Sequence, residues 1–181
     1  TAMMGGLTYG IEINTFEIAS RFARLWQAEC HYLAAPIYAG TPQSRDTIVA
    51  QDVFEAAFRR IQATDVAILS AGDLSERSLL VRYGLPGDVG VGELARAGAV
   101  GDMLGQFVDR RGRAIDHPIN HRAIALPLED LRRIPTVILA SGGANKAEII
   151  AAALRGGLAS VLITDEDAAA AVLESPAPAL A

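Results

Sequence analysis

Short apolar runs alternate with stretches of helical periodicity along most of the chain. The two clearest runs are 66–70 (VAILS) and 136–140 (TVILA), and each precedes a turn that contains glycine. Continuous apolar runs of this length are typical of strands in parallel sheets, which are covered on both faces. Between such runs, apolar residues recur every three or four positions, which predicts helices with one apolar face.

The pattern predicts seven helices and six strands, together with the end of a buried strand within residues 1–8. Helices are expected over 14–27, 52–61, 75–83, 92–97, 128–133, 145–155 and 166–173. Strands are expected over 30–35, 66–70, 100–108, 122–126, 136–140 and 160–163. This alternation predicts an α/β fold with a Rossmann-like, doubly wound, mostly parallel sheet. Ligands of such folds bind at the carboxyl ends of the strands.

The single lysine of the chain, Lys146, lies in the turn after the run 136–140, against fifteen arginines elsewhere. Gly142 and Gly143 precede it, and a helix is expected to follow. Free N–H groups at a helix start attract anions, and an ammonium adds a full positive charge there. Two glycines after a strand are also common in ordinary turns. Replacement of surface lysines by arginine through compositional drift would explain why lysine is scarce, but not why the remaining lysine lies at this turn. Gly142, Gly143 and Lys146 are therefore candidate ligand-binding residues.

Four further charged residues have two readings each. Asp102 follows a glycine at a strand edge, where a carboxylate binds sugar hydroxyls or caps a turn. Asp73 and Asp165 have the same alternatives, with the cap favoured for Asp165 because a helix follows it. Arg82 either reaches a phosphate or is only solvated.

Composition and charge exclude several classes of protein. The 181 residues suit one domain, and the net charge of −5 argues against nucleic-acid binding by this segment itself. No apolar run approaches the roughly 20 residues that span a bilayer, so no membrane association is expected. The single Cys30 excludes an internal disulfide and suits a cytoplasmic protein. His117 and His121 are four residues apart, but Pro118 between them makes a metal site improbable. No metal or cofactor is expected.

Five segments together resemble one known family. In their order and spacing they look like the C-terminal effector-binding domain of SorC-type bacterial transcriptional regulators, and the resemblance covers nearly the whole chain. The segments are 98–107 (GAVGDMLGQF), 120–122 (NHR), 141–146 (SGGANK), 151–157 (AAALRGG) and 162–166 (LITDE). The resemblance implies a fold similar to that of sugar-phosphate isomerases and deaminases. It also implies a sensor: a phosphorylated sugar binds and alters operator binding by an N-terminal helix-turn-helix domain.

The resemblance also implies how the domain is organised. Residues 1–181 would form one effector-binding domain, as a fragment of a longer protein. The helix-turn-helix domain and the first phosphate-binding loop of the family would precede Thr1, outside this chain. Operator DNA would be contacted only through that other domain. Homodimers or homotetramers are implied, because operators are read by paired domains.

By motif position, the resemblance implies seven ligand-facing residues: Met4, Gly5, Gly6, Asn14, Arg82, Asp102 and Lys146. Asp102 and Asn14 would hold sugar hydroxyls, and Lys146 would pair with an anionic or carbonyl oxygen. Arg82 would bind a phosphate. Some family members carry a basic residue where Met4 stands. Methionine cannot hold a phosphate, so the effector is expected to be less charged or to bind differently.

The alternative is an enzyme of the sugar-phosphate isomerase or deaminase kind. Such chemistry needs a general acid and a general base within hydrogen-bond reach of neighbouring sugar carbons. Asp102 and Lys146 supply one such pair, but a closely placed second carboxylate and a histidine relay are not evident. The sequence therefore favours a sensor that is not an enzyme.

Overall fold

The computed structural model describes residues 1–8 and 14–175. Within these ranges the chain forms eight α-helices, six strands and two short 3-10 helices. The α-helices are α1 (Thr15–Trp26), α2 (Pro42–Val49), α3 (Asp52–Gln62), α4 (Leu79–Tyr83), α5 (Val91–Arg96), α6 (Leu128–Leu131), α7 (Ala147–Arg155) and α8 (Glu166–Glu174). The strands are β1 (Val66–Leu69), β2 (Ala71–Gly72), β3 (Gly101–Met103), β4 (Gln106–Val108), β5 (Thr136–Ala140) and β6 (Val161–Ile163). The 3-10 helices span Asn120–Arg122 and Ala144–Lys146.

The strands form two three-stranded sheets. One is parallel, in the order β1-β5-β6, and the other is antiparallel, in the order β2-β3-β4. The α/β class with a parallel sheet and helices confirms the prediction. The second sheet was not predicted, because its strands are only two or three residues long and carry no periodic signal.

One face of the parallel sheet packs into the main core, through side chains such as Ala67, Leu69, Val137 and Leu139. The other face, which we term the open face, is apolar and at least partly exposed. Its apolar side chains include Val66, Ile68, Ile138, Val161 and Ile163. The expectation that these strands are covered on both faces is therefore wrong here, because no described element covers the second one.

The expected strand over 100–108 is a hairpin instead. Leu104 and Gly105 have φ angles of 54° and 74°, so the chain reverses between β3 and β4. All three residues of β3 are buried. The run looks continuous in sequence because both arms of the hairpin face the core.

Several other predictions need correction. The segments 1–8, 30–35 and 122–126 are not strands. Segments 1–8 and 122–126 make only isolated bridges, such as Met4 with Ala125 and Gly6 with Pro36. The helix expected over 75–83 begins at Leu79. Helix α2 was missed, although Thr41 caps it through the Ser44 amide and proline occupies its first turn.

The predictions for longer periodic segments are confirmed. Helices α1, α3, α5 and α8 and strands β1, β5 and β6 lie within about two residues of their expected bounds, as sequence periodicity allows. Helix α7 begins two residues later than expected, because the single 3-10 turn Ala144–Lys146 precedes it.

Candidate functional site

The centre of the candidate site is the carboxylate of Asp102 on β3. Asp102 pairs with Gly72 on β2, and its side chain lies directly over that glycine, where any Cβ would collide with Oδ1. The side chain is buried, and its Oδ2 accepts a hydrogen bond of 3.0 Å from the Gly105 amide in the hairpin turn. The hairpin thus fixes a carboxylate in a place that only a glycine partner leaves open.

Burial raises the pKa of Asp102 to about 7, from an ordinary value of 3.8. The Gly105 amide and the charge of Lys146 oppose this rise, while the neighbouring carboxylate of Asp73 adds to it. Near neutral pH the Asp102 side chain therefore exists in both protonation states. It is able to accept hydrogen bonds from a ligand when ionised and to donate one when protonated.

A second carboxylate, Asp73, follows Gly72 and is also buried. Its Oδ1 accepts hydrogen bonds from the Ser75 amide at 3.2 Å and the Ser75 hydroxyl at 2.8 Å. Its Oδ2 accepts one of 2.5 Å from the Asn145 side chain, next to Lys146 in sequence. This bond ties the end of β2 to the turn that carries Lys146.

The ammonium of Lys146 is not paired within the described residues. Every ion pair of 4.0 Å or less there is made by an arginine or a histidine. Its charge nevertheless lowers the pKa values of both Asp73 and Asp102. Lys146 therefore lies close enough to Asp102 to influence its charge, and its ammonium has no ion-pair partner among the described residues.

The Gly142–Gly143 turn binds a side chain of the protein itself and is not an open anion-binding site. The Gly143 amide donates a hydrogen bond of 2.6 Å to Oδ2 of Asp165, and a Cβ on Gly142 would collide with that oxygen. The other Asp165 oxygen accepts a bond of 2.8 Å from the Ala168 amide, which confirms Asp165 as the cap of α8. These hydrogen bonds lower the pKa of Asp165. The Gly143 N–H is therefore occupied by a side chain of the protein itself.

Gly5 and Gly6 allow a close approach of backbones. A Cβ on Gly5 would collide with the carbonyl of Pro36, and one on Gly6 would collide with the ring of Phe16. Their amides donate to the carbonyls of Ile124 at 2.8 Å and Ala35 at 2.9 Å. Both N–H groups are thus satisfied by the backbone.

Asn14 lies beside Gly6 at the start of α1. Its side-chain amide donates a hydrogen bond of 2.8 Å to the Leu7 carbonyl, while its buried Oδ1 has no hydrogen-bond partner among the described residues. Met4 is half-buried and packs against both hydrophobic clusters of the core. Met4 thus has a packing role, whereas Asn14 retains a free acceptor.

Segment 36–38 links this group to the Asp102 hairpin. The Ile37 amide donates to the Gly6 carbonyl at 3.0 Å, and the Tyr38 hydroxyl donates to the Gly105 carbonyl at 2.6 Å. Burial raises the pKa of Tyr38 well above its ordinary value, so its hydroxyl stays protonated. Segment 36–38 therefore connects two groups of predicted site residues, the one around Gly6 and the one around Asp102.

Arg82 is not joined to these groups. It lies exposed on α4, with its guanidinium 5.2 Å from the centre of the Tyr83 ring. No described hydrogen bond connects it to Asp102 or Lys146. Its assignment as a phosphate ligand stays a prediction.

Two further residues join the candidate site in the structure: Asp73, whose role the sequence left open, and Asn145, which the sequence did not single out. Both follow strands, and Asn145 adjoins Lys146, so position alone pointed to them. Ser141, directly after β5, is also notable, because its buried hydroxyl has no hydrogen-bond partner among the described residues. Each was indistinguishable from an ordinary turn residue in the sequence.

Within the described residues, no group of three or more histidine, cysteine, aspartate or glutamate side chains is arranged to hold a metal ion. In the same part of the chain, none of the helices has both the length and the apolar character needed to cross a bilayer.

Comparison with known proteins gives a family match over most of the chain. Residues 1–174 match the family described as "Putative sugar-binding domain". The transcriptional regulator LsrR of Escherichia coli (strain SMS-3-5 / SECEC) is 38% identical over 146 residues, which is 79% of this chain and 46% of LsrR. The erythritol catabolism regulatory protein EryD of Brucella abortus (strain 2308) is 30% identical over 175 residues, 97% of this chain and 55% of EryD.

A solved structure supports the same fold. The full-length sorbitol operon regulator SorC of Klebsiella pneumoniae superposes with a TM-score of 0.83, at 21% identity, over 95% of this chain and 56% of SorC. The chain spans about half the length of the curated relatives it matches.

Proposed function

Because the chain belongs to the family described as "Putative sugar-binding domain" and is similar to the regulators LsrR and EryD, we propose that it senses a phosphorylated sugar or related carbohydrate and thereby modulates operator binding by the full-length protein. Operator DNA is contacted by a domain outside residues 1–181. The domain acts in the cytoplasm, as part of a homodimer or homotetramer. The relatives are named as regulators, which favours a sensor over an enzyme.

The observation that carries the proposal is the ammonium of Lys146, which makes no ion pair among the described residues and whose charge lowers the pKa values of two buried carboxylates, Asp73 and Asp102. Carboxylates accept hydrogen bonds from hydroxyl groups, and an ammonium donates to hydroxyl or carbonyl oxygens. Neighbouring groups of opposite charge suit a polyhydroxy ligand, which presents donors and acceptors on adjacent carbons. Asn14 adds an acceptor beyond the connecting segment 36–38.

The ligand class is tested with the full-length protein and matched pairs of polyols and their phosphate esters. EryD and SorC are named for erythritol and sorbitol, so these two polyols, ribitol and the monophosphate of each form the panel, together with a pentose phosphate, a hexose phosphate and an amino-sugar phosphate. Isothermal titration calorimetry measures Kd, and fluorescence anisotropy with operator DNA measures the effect on DNA binding. One member of the panel is expected to bind and to change operator affinity. Binding to none of them would contradict the proposal.

The position of the site is tested with Lys146→Met. Removing the ammonium is expected to weaken ligand binding by at least about tenfold, because a charge-assisted hydrogen bond contributes about 1.5–3 kcal/mol. The melting temperature without ligand is expected to fall only slightly, since the ammonium makes no ion pair in the described residues but does favour the charged forms of Asp73 and Asp102. Arg96→Met, which removes an exposed cation from α5, is the matched control. Equal affinities of Lys146→Met and the wild type would refute the site.

The same preparations test for catalysis. Incubation with the panel, followed by chromatography, is expected to return every compound unchanged. Steady conversion of any sugar phosphate would replace the sensor with an isomerase or deaminase.

A further inference from the structure

Asp73 is held more firmly than a simple turn residue requires. Its carboxylate accepts three hydrogen bonds, two from Ser75 and one from Asn145. A carboxylate offers about four acceptor positions, so about one remains on the oxygen that faces Asn145. This oxygen lies at the turn that carries Lys146.

Asp73 and Asp102 differ in charge near neutral pH. Burial disfavours ionisation of Asp73, but the hydrogen bonds from Asn145 and Ser75 and the charge of Lys146 outweigh it, so the pKa of Asp73 is lowered. Asp102 has one hydrogen bond, from Gly105, and its pKa is raised to about 7. Asp73 is therefore the permanent negative charge of the site.

This permanent charge balances the ammonium of Lys146. A ligand group that approaches Lys146 meets one cation, one fixed anion and the partly ionised Asp102. A hydroxyl group can donate a hydrogen bond to Asp73 and accept hydrogen bonds from Lys146 and from protonated Asp102, and it adds no charge. A phosphate group would bring further negative charge beside buried carboxylates, where repulsion is weakly screened.

We propose that Asp73 is a specificity-determining residue that keeps phosphate away from Lys146 and Asp102, so that this end of the site takes the uncharged, hydroxyl-bearing end of the ligand. The inference rests on the proposed function and deepens it: a monophosphorylated polyol binds in one orientation, and a ligand with phosphate at both ends is rejected. The Asp165 carboxylate accepts a hydrogen bond from the Gly143 amide, and its negative charge also repels phosphate at the neighbouring turn.

The experiment compares the monophosphates of erythritol, ribitol and sorbitol with the corresponding bisphosphates that carry phosphate at both ends. Calorimetry on the full-length protein gives the ratio of the two Kd values for each polyol. The wild type is expected to prefer the best-bound monophosphate at least about tenfold, and Asp73→Asn to reduce that preference about fivefold. Asp73→Ser serves as a second neutral variant if the asparagine variant does not fold.

Two controls separate specificity from structure. Asp109 is another turn carboxylate, which accepts bonds from the Arg111 and Arg113 amides, so Asp109→Asn is expected to leave the ratio unchanged. Asn145→Ala removes a hydrogen bond to Asp73 but keeps its charge, and is expected to retain the preference. If Asp73 had only a structural role, its replacement would weaken the binding of the monophosphate and the bisphosphate equally. An unchanged ratio of the two Kd values in the neutral variants would therefore overturn this inference but not the proposed function. Failure of the wild type to bind any monophosphate overturns the proposed function with it.

Discussion

The two sheets of the molecule differ in how completely their side chains are enclosed. In the antiparallel sheet, β3 is buried along its whole length, and Phe107 on β4 is fully buried. In the parallel sheet, the residues of β1 alternate between exposed and buried, and Ile163 on β6 is 59% exposed. The smaller sheet therefore provides a rigid, enclosed position for Asp102, while the larger one contributes to the core through one face.

This difference also separates two uses of apolar residues. The buried face of the parallel sheet contributes stability through the area it removes from water. The antiparallel sheet uses its burial to isolate a carboxylate, which costs stability and gains a perturbed pKa. A buried, ionisable group of this kind is typical of functional sites.

The largest expected effect is in the enclosed sheet. Phe107→Ala removes a fully buried aromatic ring and is expected to lower the free energy of unfolding by about 3–5 kcal/mol. Urea unfolding followed by circular dichroism measures the change. A loss below about 1 kcal/mol would show that the antiparallel sheet is not the enclosed unit described above.

A smaller effect is expected from Asp102→Asn, and it depends on pH. The pKa of Asp102 in the folded protein, about 7, lies above its ordinary value of 3.8. The folded state therefore binds the proton more tightly, and this group's contribution to stability falls as pH rises from about 4 to about 7. The neutral asparagine removes that fall.

Unfolding in urea at pH 5 and pH 8 checks this expectation. Wild-type stability should decrease more between these two values than that of Asp102→Asn. Parallel pH dependence of the two proteins would mean that Asp102 does not titrate in this window.

The smallest effect is expected on the open face. Ile163→Thr keeps a β-branched side chain at an exposed strand position and is expected to change stability by no more than about 0.5 kcal/mol. Leu139→Ala, on the buried face of neighbouring β5, serves as the contrast and is expected to cost about 2–5 kcal/mol. Similar losses for both variants would show that the open face is covered in solution.

Sequence periodicity predicted the long elements well and the short ones poorly. Helices such as α1 and α3 and strand β5 carry enough repeats for their pattern to be read locally. The hairpin β3–β4 depends on the turn at Leu104 and Gly105, and a single non-glycine residue with positive φ has no clear sequence signal. Strand pairing in general depends on partners far along the chain.

The candidate site shows the same division. Lys146 and Asp102 were predicted from local patterns and a family resemblance, and in the structure the charge of Lys146 lowers the pKa of Asp102. The sequence left the role of Asp73 open and did not single out Asn145, because their hydrogen bond joins residues 72 positions apart. Arg82 was selected but lies exposed beside Tyr83.

The sequence by itself determined the α/β class, the longer helices and strands, the family and the position of the one lysine. These follow from periodicity and ordered motifs, which are properties of neighbouring residues. Only the tertiary structure decided which faces are enclosed, that Asp165 occupies the Gly143 amide, and that Asp73 and Asp102 flank one cation. The reason is that burial and electrostatic interaction depend on distances in space. The separation of two residues along the chain does not reveal how far apart they lie in the folded protein.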